Sequence, residues 1–173
     1  MNYYGAKNLA DSFRTVRKNT IQVAQDIPAD KYDFQAAPDT MTVAAMLAHL
    51  ATAPHWAEQL HFVERKHTVS MEDFGRYMGE AGAVSKTLMD KAAIIDALTT
   101  RGEAFASHLE SASDAKLGEV VSFAPPLPGP GKSRFEMLLG VKEHEMHHRA
   151  QLFLVERMLG IVPHLTRARQ QRS

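Results

Sequence analysis

A chain of 173 residues, 45% hydrophobic and 23% charged, has the size and composition of one soluble globular domain with a sizeable core. Twenty basic residues balance twenty acidic ones, which argues against a nucleic-acid partner, and the absence of cysteine excludes disulfides, thiolate nucleophiles and thiolate metal ligands. No apolar run approaches the ~18 residues of a membrane span, and Met1–Lys7 carries no signal pattern, so the expected setting is cytoplasmic, with no membrane partner.

Four segments carry apolar residues at alternating spacings of four and three, the core stripe of a packed helix. In the first, Leu9, Phe13, Val16, Thr20, Val23 and Ile27 line up, and Pro28 marks the end. The second follows Pro38-Asp39-Thr40, a good capping context, and runs Thr42, Met46, His49, Ala53, Trp56, Leu60, Val63. The third runs Leu88, Ile95, Leu98, Gly102, Phe105, Leu109. The fourth runs Met137, Val141, His144, His148, Gln151, Val155, Met158. Ser133-x-x-Glu136 opens it with a capping-box pattern, and Gly160 with Pro163 close it.

Between the stripes, residues 66–84 read as a long connection holding Gly75, Gly79 and Gly82. Val120–Phe123 has the composition of a short strand, and Ala124–Lys132 is a Pro/Gly-rich loop. The tail, residues 166–173, is polar and basic and is expected to fray. The predicted architecture is all-α: a four-helix bundle with two long connections, forming one domain over residues 1–165.

Three histidines fall on core positions. His144 and His148 are four apart and project from one face of their helix, a turn from each other. His49 lies at a similar depth on the second stripe, displaced by only ~6 Å at ~1.5 Å per residue. A single histidine on an apolar stripe is usually a core residue satisfied by one hydrogen bond. Two at i and i+4 with a third facing them fit a divalent metal with three nitrogen ligands and an open fourth position, the catalytic rather than structural pattern. His147 is off the line. Ala53, a turn beyond His49, either leaves room for bound water or substrate or is ordinary small-to-large packing. Trp56 either walls a pocket or is plain core. Gln151 either orients a bound group or sits where the stripe meets solvent.

His144-Glu145-x-x-His148 also matches the H-E-x-x-H of zinc proteases, whose glutamate is the general base. That reading lacks a third ligand downstream, since Leu154 stands where one would be expected. Under the bundle reading Glu145 faces solvent or a neighbouring helix, and Arg149 is a solvated charge.

The segment Glu143–Leu152 followed by Arg157-Met158-Leu159-Gly160 and Pro163, together with His49-Leu50-Ala51 and Trp56, resembles the DinB/YfiT-like family. Ala150 departs from the glycine often found there. The resemblance implies a four-helix bundle with a divalent metal on His49, His144 and His148, and it implies homodimers. It also implies activities that include thiol-dependent transferases and isomerases, using a low-molecular-weight thiol such as bacillithiol, mycothiol or glutathione with a small-molecule substrate. Zinc or nickel is the expected metal, with iron or manganese as alternatives. A metal-dependent hydrolase using activated water and a non-catalytic, stress-related metal-binding bundle are the competing expectations.

Overall fold

Four long helices dominate the structure, a computed structural model that describes residues 4–171. They are α1 (Ala6–Asp26), α4 (Met71–Ser85), α5 (Lys91–Glu110) and α7 (Arg134–Met158). Shorter helices are α2 (Val43–Thr52), α3 (His55–Glu58), α6 (Asp114–Gly118) and α8 (His164–Gln170). Strands β1 (Thr68–Val69), β2 (Val120–Phe123) and β3 (Lys132–Ser133) complete the fold. Among the described residues no helix is long and apolar enough to cross a membrane.

The helices start where the sequence supplies acceptors for their free N–H groups. Thr42, Ser70, Asp90 and Ser133 each accept a bond from the backbone three residues on, a device worth about 1 kcal/mol per helix. Glu136 does not complete the box expected at α7; it pairs instead with Lys132 at 2.9 Å. The first stripe is buried as drawn, from Leu9 through Phe13, Thr20 and Val23 to Ile27. It packs on α5 and α7, while α2 packs on α5 and α4. One apolar cluster gathers Val23, Leu47, Leu50, Leu98 and Leu152, and a second gathers Phe13, Phe105, Leu109 and Leu138.

Four sequence expectations need correction. The second stripe is not one helix. Pro54 has no N–H to continue the α-helical ladder, so α2 ends there and the chain proceeds through α3 into a π-helical turn, Gln59–Val63. Residues 66–84 are mostly the helix α4, whose Phe74, Tyr77, Ala81 and Val84 form the inward face; Tyr77 is fully covered and Ala81 is buried. Three glycines in its span lowered the helical signal without abolishing it. The chain is mostly helical but carries a three-stranded sheet. In it β1 runs parallel to β2, with Thr68 opposite Ser122, and β3 runs antiparallel, with Lys132 opposite Val121. Gly131 makes that last pairing possible: its φ is +124°, and a Cβ there would sit 2.2 Å from the Val121 carbonyl oxygen. The tail also differs from expectation over residues 166–170. It belongs to α8, held by Arg167, which pairs with Asp26 at 2.6 Å; residues 172 and 173 lie outside the described residues.

Candidate metal centre and its cavity

The helical period places His144 and His148 on one face of α7, and α2 presents His49 to the same point. The three side chains offer nitrogen atoms that all lie within 4.8 Å of one another. The Nε2 atoms of His49 and His144 are 3.1 Å apart, close to the ~3.3 Å separation of two imidazole nitrogens bound at ~2.0–2.1 Å to one tetrahedral ion. The ring centroids form a near-equilateral triangle of 4.9, 5.1 and 4.6 Å. Among the described residues no carboxylate joins this cluster. The donor set therefore fits a divalent metal with three neutral nitrogens and one position left for an exogenous ligand.

Electrostatics favour the form that a metal requires. Burial, reinforced by the neighbouring imidazoles of His148, His49 and His147, pushes His144 down to about 4. Burial and then His148 lower His49. Both rings are neutral at pH 7, with lone pairs available.

His148 is oriented by a neighbour on its own helix. Its Nδ1–H donates to Gln151 Oε1 at 2.9 Å, which leaves Nε2 free as the ligand atom. The Gln151 amide in turn donates to His147 Nε2 at 3.3 Å. Gln151 thus faces the ligands from behind and does not line the cavity described below. Of its two expected places it takes the second, exposed where the stripe meets solvent, and there it holds His148.

Glu145 faces the neighbouring helix α1. Its Oε2 accepts from Arg17 Nε and Nη2 at 3.1 and 2.8 Å, and both side chains are almost wholly buried. The same guanidinium donates to the carbonyls of Leu50 (3.0 Å) and Leu98 (3.1 Å). Leu50 lies four residues before Pro54, so its carbonyl is the one that the proline leaves without a helical partner. Arg17 therefore repairs the break in the helix that carries His49 and braces the helix that carries His144. Nothing in the stripes singled out Arg17, which sits beside the first stripe. Arg149 is half-buried rather than solvated, and donates to the Val16 carbonyl at 3.1 Å.

A cavity of about 540 Å³ reaches His49 and His144. Ala53 and Trp56, for which the sequence left both pocket and core open, line it, and Met78, Phe123, Met137 and Val141 add apolar walls. The Trp56 ring is set by Phe74 on one side (5.8 Å) and by the buried His61 on another (6.1 Å). His61 is held neutral by burial, which lowers it to about 3, and its Nδ1 accepts from Arg134 at 3.1 Å. It belongs to the support of the cavity wall, not to the ligand cluster.

No curated protein matches the sequence. The fold is similar to that of YjoA, a DinB-like protein from Bacillus subtilis known from a crystal structure. The two are 20% identical, with a TM-score of 0.66 over 88% of this chain and 92% of that one. The family model of the DinB superfamily matches residues 12–152, a span that contains α2, most of α7 and all three clustered histidines. The chain belongs to the DinB superfamily.

Proposed function

We propose that the chain is a metal-dependent enzyme that activates a small thiol for transfer to an acceptor, with His49, His144 and His148 as the ligands. The observation that carries this reading is the convergence of three imidazoles, two of which, His49 and His144, stand at the wall of a cavity large enough for a small molecule. A structural site would be closed by a fourth protein donor. The ion would supply Lewis acidity, which lowers the pKa of a thiol or a water. Gln151 holds His148 in the ligating tautomer, the Arg17–Glu145 pair fixes the two ligand helices relative to each other, and Trp56 and Met78 give the cavity an apolar wall. The chain has no cysteine to compete as nucleophile. Zinc or nickel is the proposed metal. Self-association into a homodimer belongs to the same proposal, supported by Leu154 and Met158, which lie a turn apart on α7 with half or more of their surface exposed; light scattering at twice the chain mass is the expected result.

Purified protein should hold about one divalent metal per chain. His144→Ala and His148→Ala should abolish retention, His49→Ala should weaken it severely, and His147→Ala should matter less. Equal metal in His148→Ala and wild type would refute the ligand assignment. Loaded protein is then assayed with bacillithiol, mycothiol, glutathione, coenzyme A and cysteine against electrophilic acceptors. Turnover that needs both metal and thiol is expected. Ester or amide hydrolysis without a thiol would move the assignment to a hydrolase, and loaded protein without turnover in either screen would mark a non-catalytic metal binder.

A further inference from the structure

The cavity is hollowed from both sides by glycine. Gly82 on α4 and Gly140 on α7 both line it, and a Cβ built at either meets no other heavy atom within 4 Å. Neither has the left-handed backbone that would demand glycine. Each instead costs its helix up to about 1 kcal/mol relative to alanine. Gly140 lies four residues before His144, so the space it leaves is stacked directly against a candidate ligand.

The remaining lining sorts by charge. Trp56, Met78, Phe123, Met137 and Val141 are apolar. The Thr52 hydroxyl is turned back onto the carbonyls of Ala48 and His49 at 3.1 and 3.2 Å. The two charged side chains at the wall, Lys132 and Glu136, neutralise each other at 2.9 Å and are about half exposed, so they sit at the rim. Away from the candidate metal position, a charged group entering this space would lose its hydration with no unpaired opposite charge to receive it.

We infer that the substrate of this site carries an uncharged hydrocarbon or aryl body. Its reactive end lies against His49 and His144, and its body fills the space between Gly82 and Gly140, which set the size limit. The assignment of the reactive end rests on the proposed metal centre; the body-binding part does not.

Trp56 is the only tryptophan in the chain and lines the cavity, so its emission reports occupancy. The probes are 4-phenylbutan-1-ol, 4-phenylbutanoate and 4-phenylbutylamine, titrated at pH 7 into metal-depleted protein, where no ion can receive the carboxylate; zinc retention is measured separately. The alcohol should bind saturably and at least tenfold more tightly than either ion. Gly82→Leu and Gly140→Leu, both better helix formers than the wild type, should each weaken it at least tenfold while circular dichroism is unchanged. Equal or tighter binding of the carboxylate or the amine would overturn the substrate class. Alcohol binding that neither glycine variant weakens would overturn the location, and no saturable binding of any probe would overturn the inference outright. Tight alcohol binding by protein that, offered zinc, fails to retain it would support the cavity assignment while refuting the metal centre, so the two failures are told apart.

Discussion

Replacing Arg17 by methionine removes the cation that ties α1, α2 and α7 together. Three acceptors lose their partner at once: Glu145 Oε2 and the carbonyls of Leu50 and Leu98. Methionine restores most of the packing volume, so the loss is chiefly electrostatic. Stranding one member of a buried ion pair costs about 3–5 kcal/mol. In a chain of this size each kcal/mol lowers the melting temperature by about 2–4 °C, so a fall of about 6–20 °C is expected. Urea or thermal denaturation of metal-depleted protein at pH 7 measures it free of any contribution from the ion. The double variant Arg17→Met, Glu145→Leu should recover a large part of the loss, because no charge is then left buried alone. A single variant that melts within 1–2 °C of wild type, or a double variant no more stable than the single, would refute the brace. The same series separates the two readings of the H-E-x-x-H match. A general base would lose activity and little stability on Glu145→Ala, whereas the brace loses stability first.

Gln151→Ala should weaken metal affinity by about 10–100-fold, as expected when a ligand histidine loses the acceptor that fixes its tautomer; competition with a chelator reads this directly. Glu156 is fully buried in α7 with no hydrogen-bond partner for either oxygen, and burial, reinforced by Asp26, raises its carboxyl to about 7. The folded state therefore holds this proton more tightly than the unfolded chain, so stability falls as pH rises from about 4.5 to about 7. Glu156→Gln should flatten that fall, visible in urea midpoints at pH 5 and pH 8; parallel curves for the two proteins would contradict it. Gly102→Ala should destabilise by about 1–3 kcal/mol, because the new methyl would lie 2.8 Å from Arg17 Cγ in a packed interior. Gly140→Ala, with open space around its Cβ, should stabilise by up to about 1 kcal/mol in the same thermal assay.

What the sequence by itself determined is whatever the helical period encodes. The i, i+4 spacing of His144 and His148 guarantees a shared face on any helix, and the stripe through Met46 and His49 turns that histidine inward with its neighbours. The buried stripe of α1, that of α5 from Leu98 to Leu109 and the capping residue Ser133 were legible for the same reason: they are local; α2 is capped by Thr42, two residues beyond the Thr40 at which the capping context was read. The break at Pro54 was also written in the chain, but a continuous apolar stripe masked it, just as three glycines masked α4. Only the tertiary structure decided what depends on segments distant in sequence. Arg17 reaches Glu145 across 128 positions, and a stripe says nothing about a charge placed beside it. Gln151 could turn toward the cavity or toward His148, and the choice depends on where the neighbouring helices leave space. The cavity itself exists because α4 lies over α2 and α7 with glycines on both sides of the gap, and no local pattern records empty volume between helices.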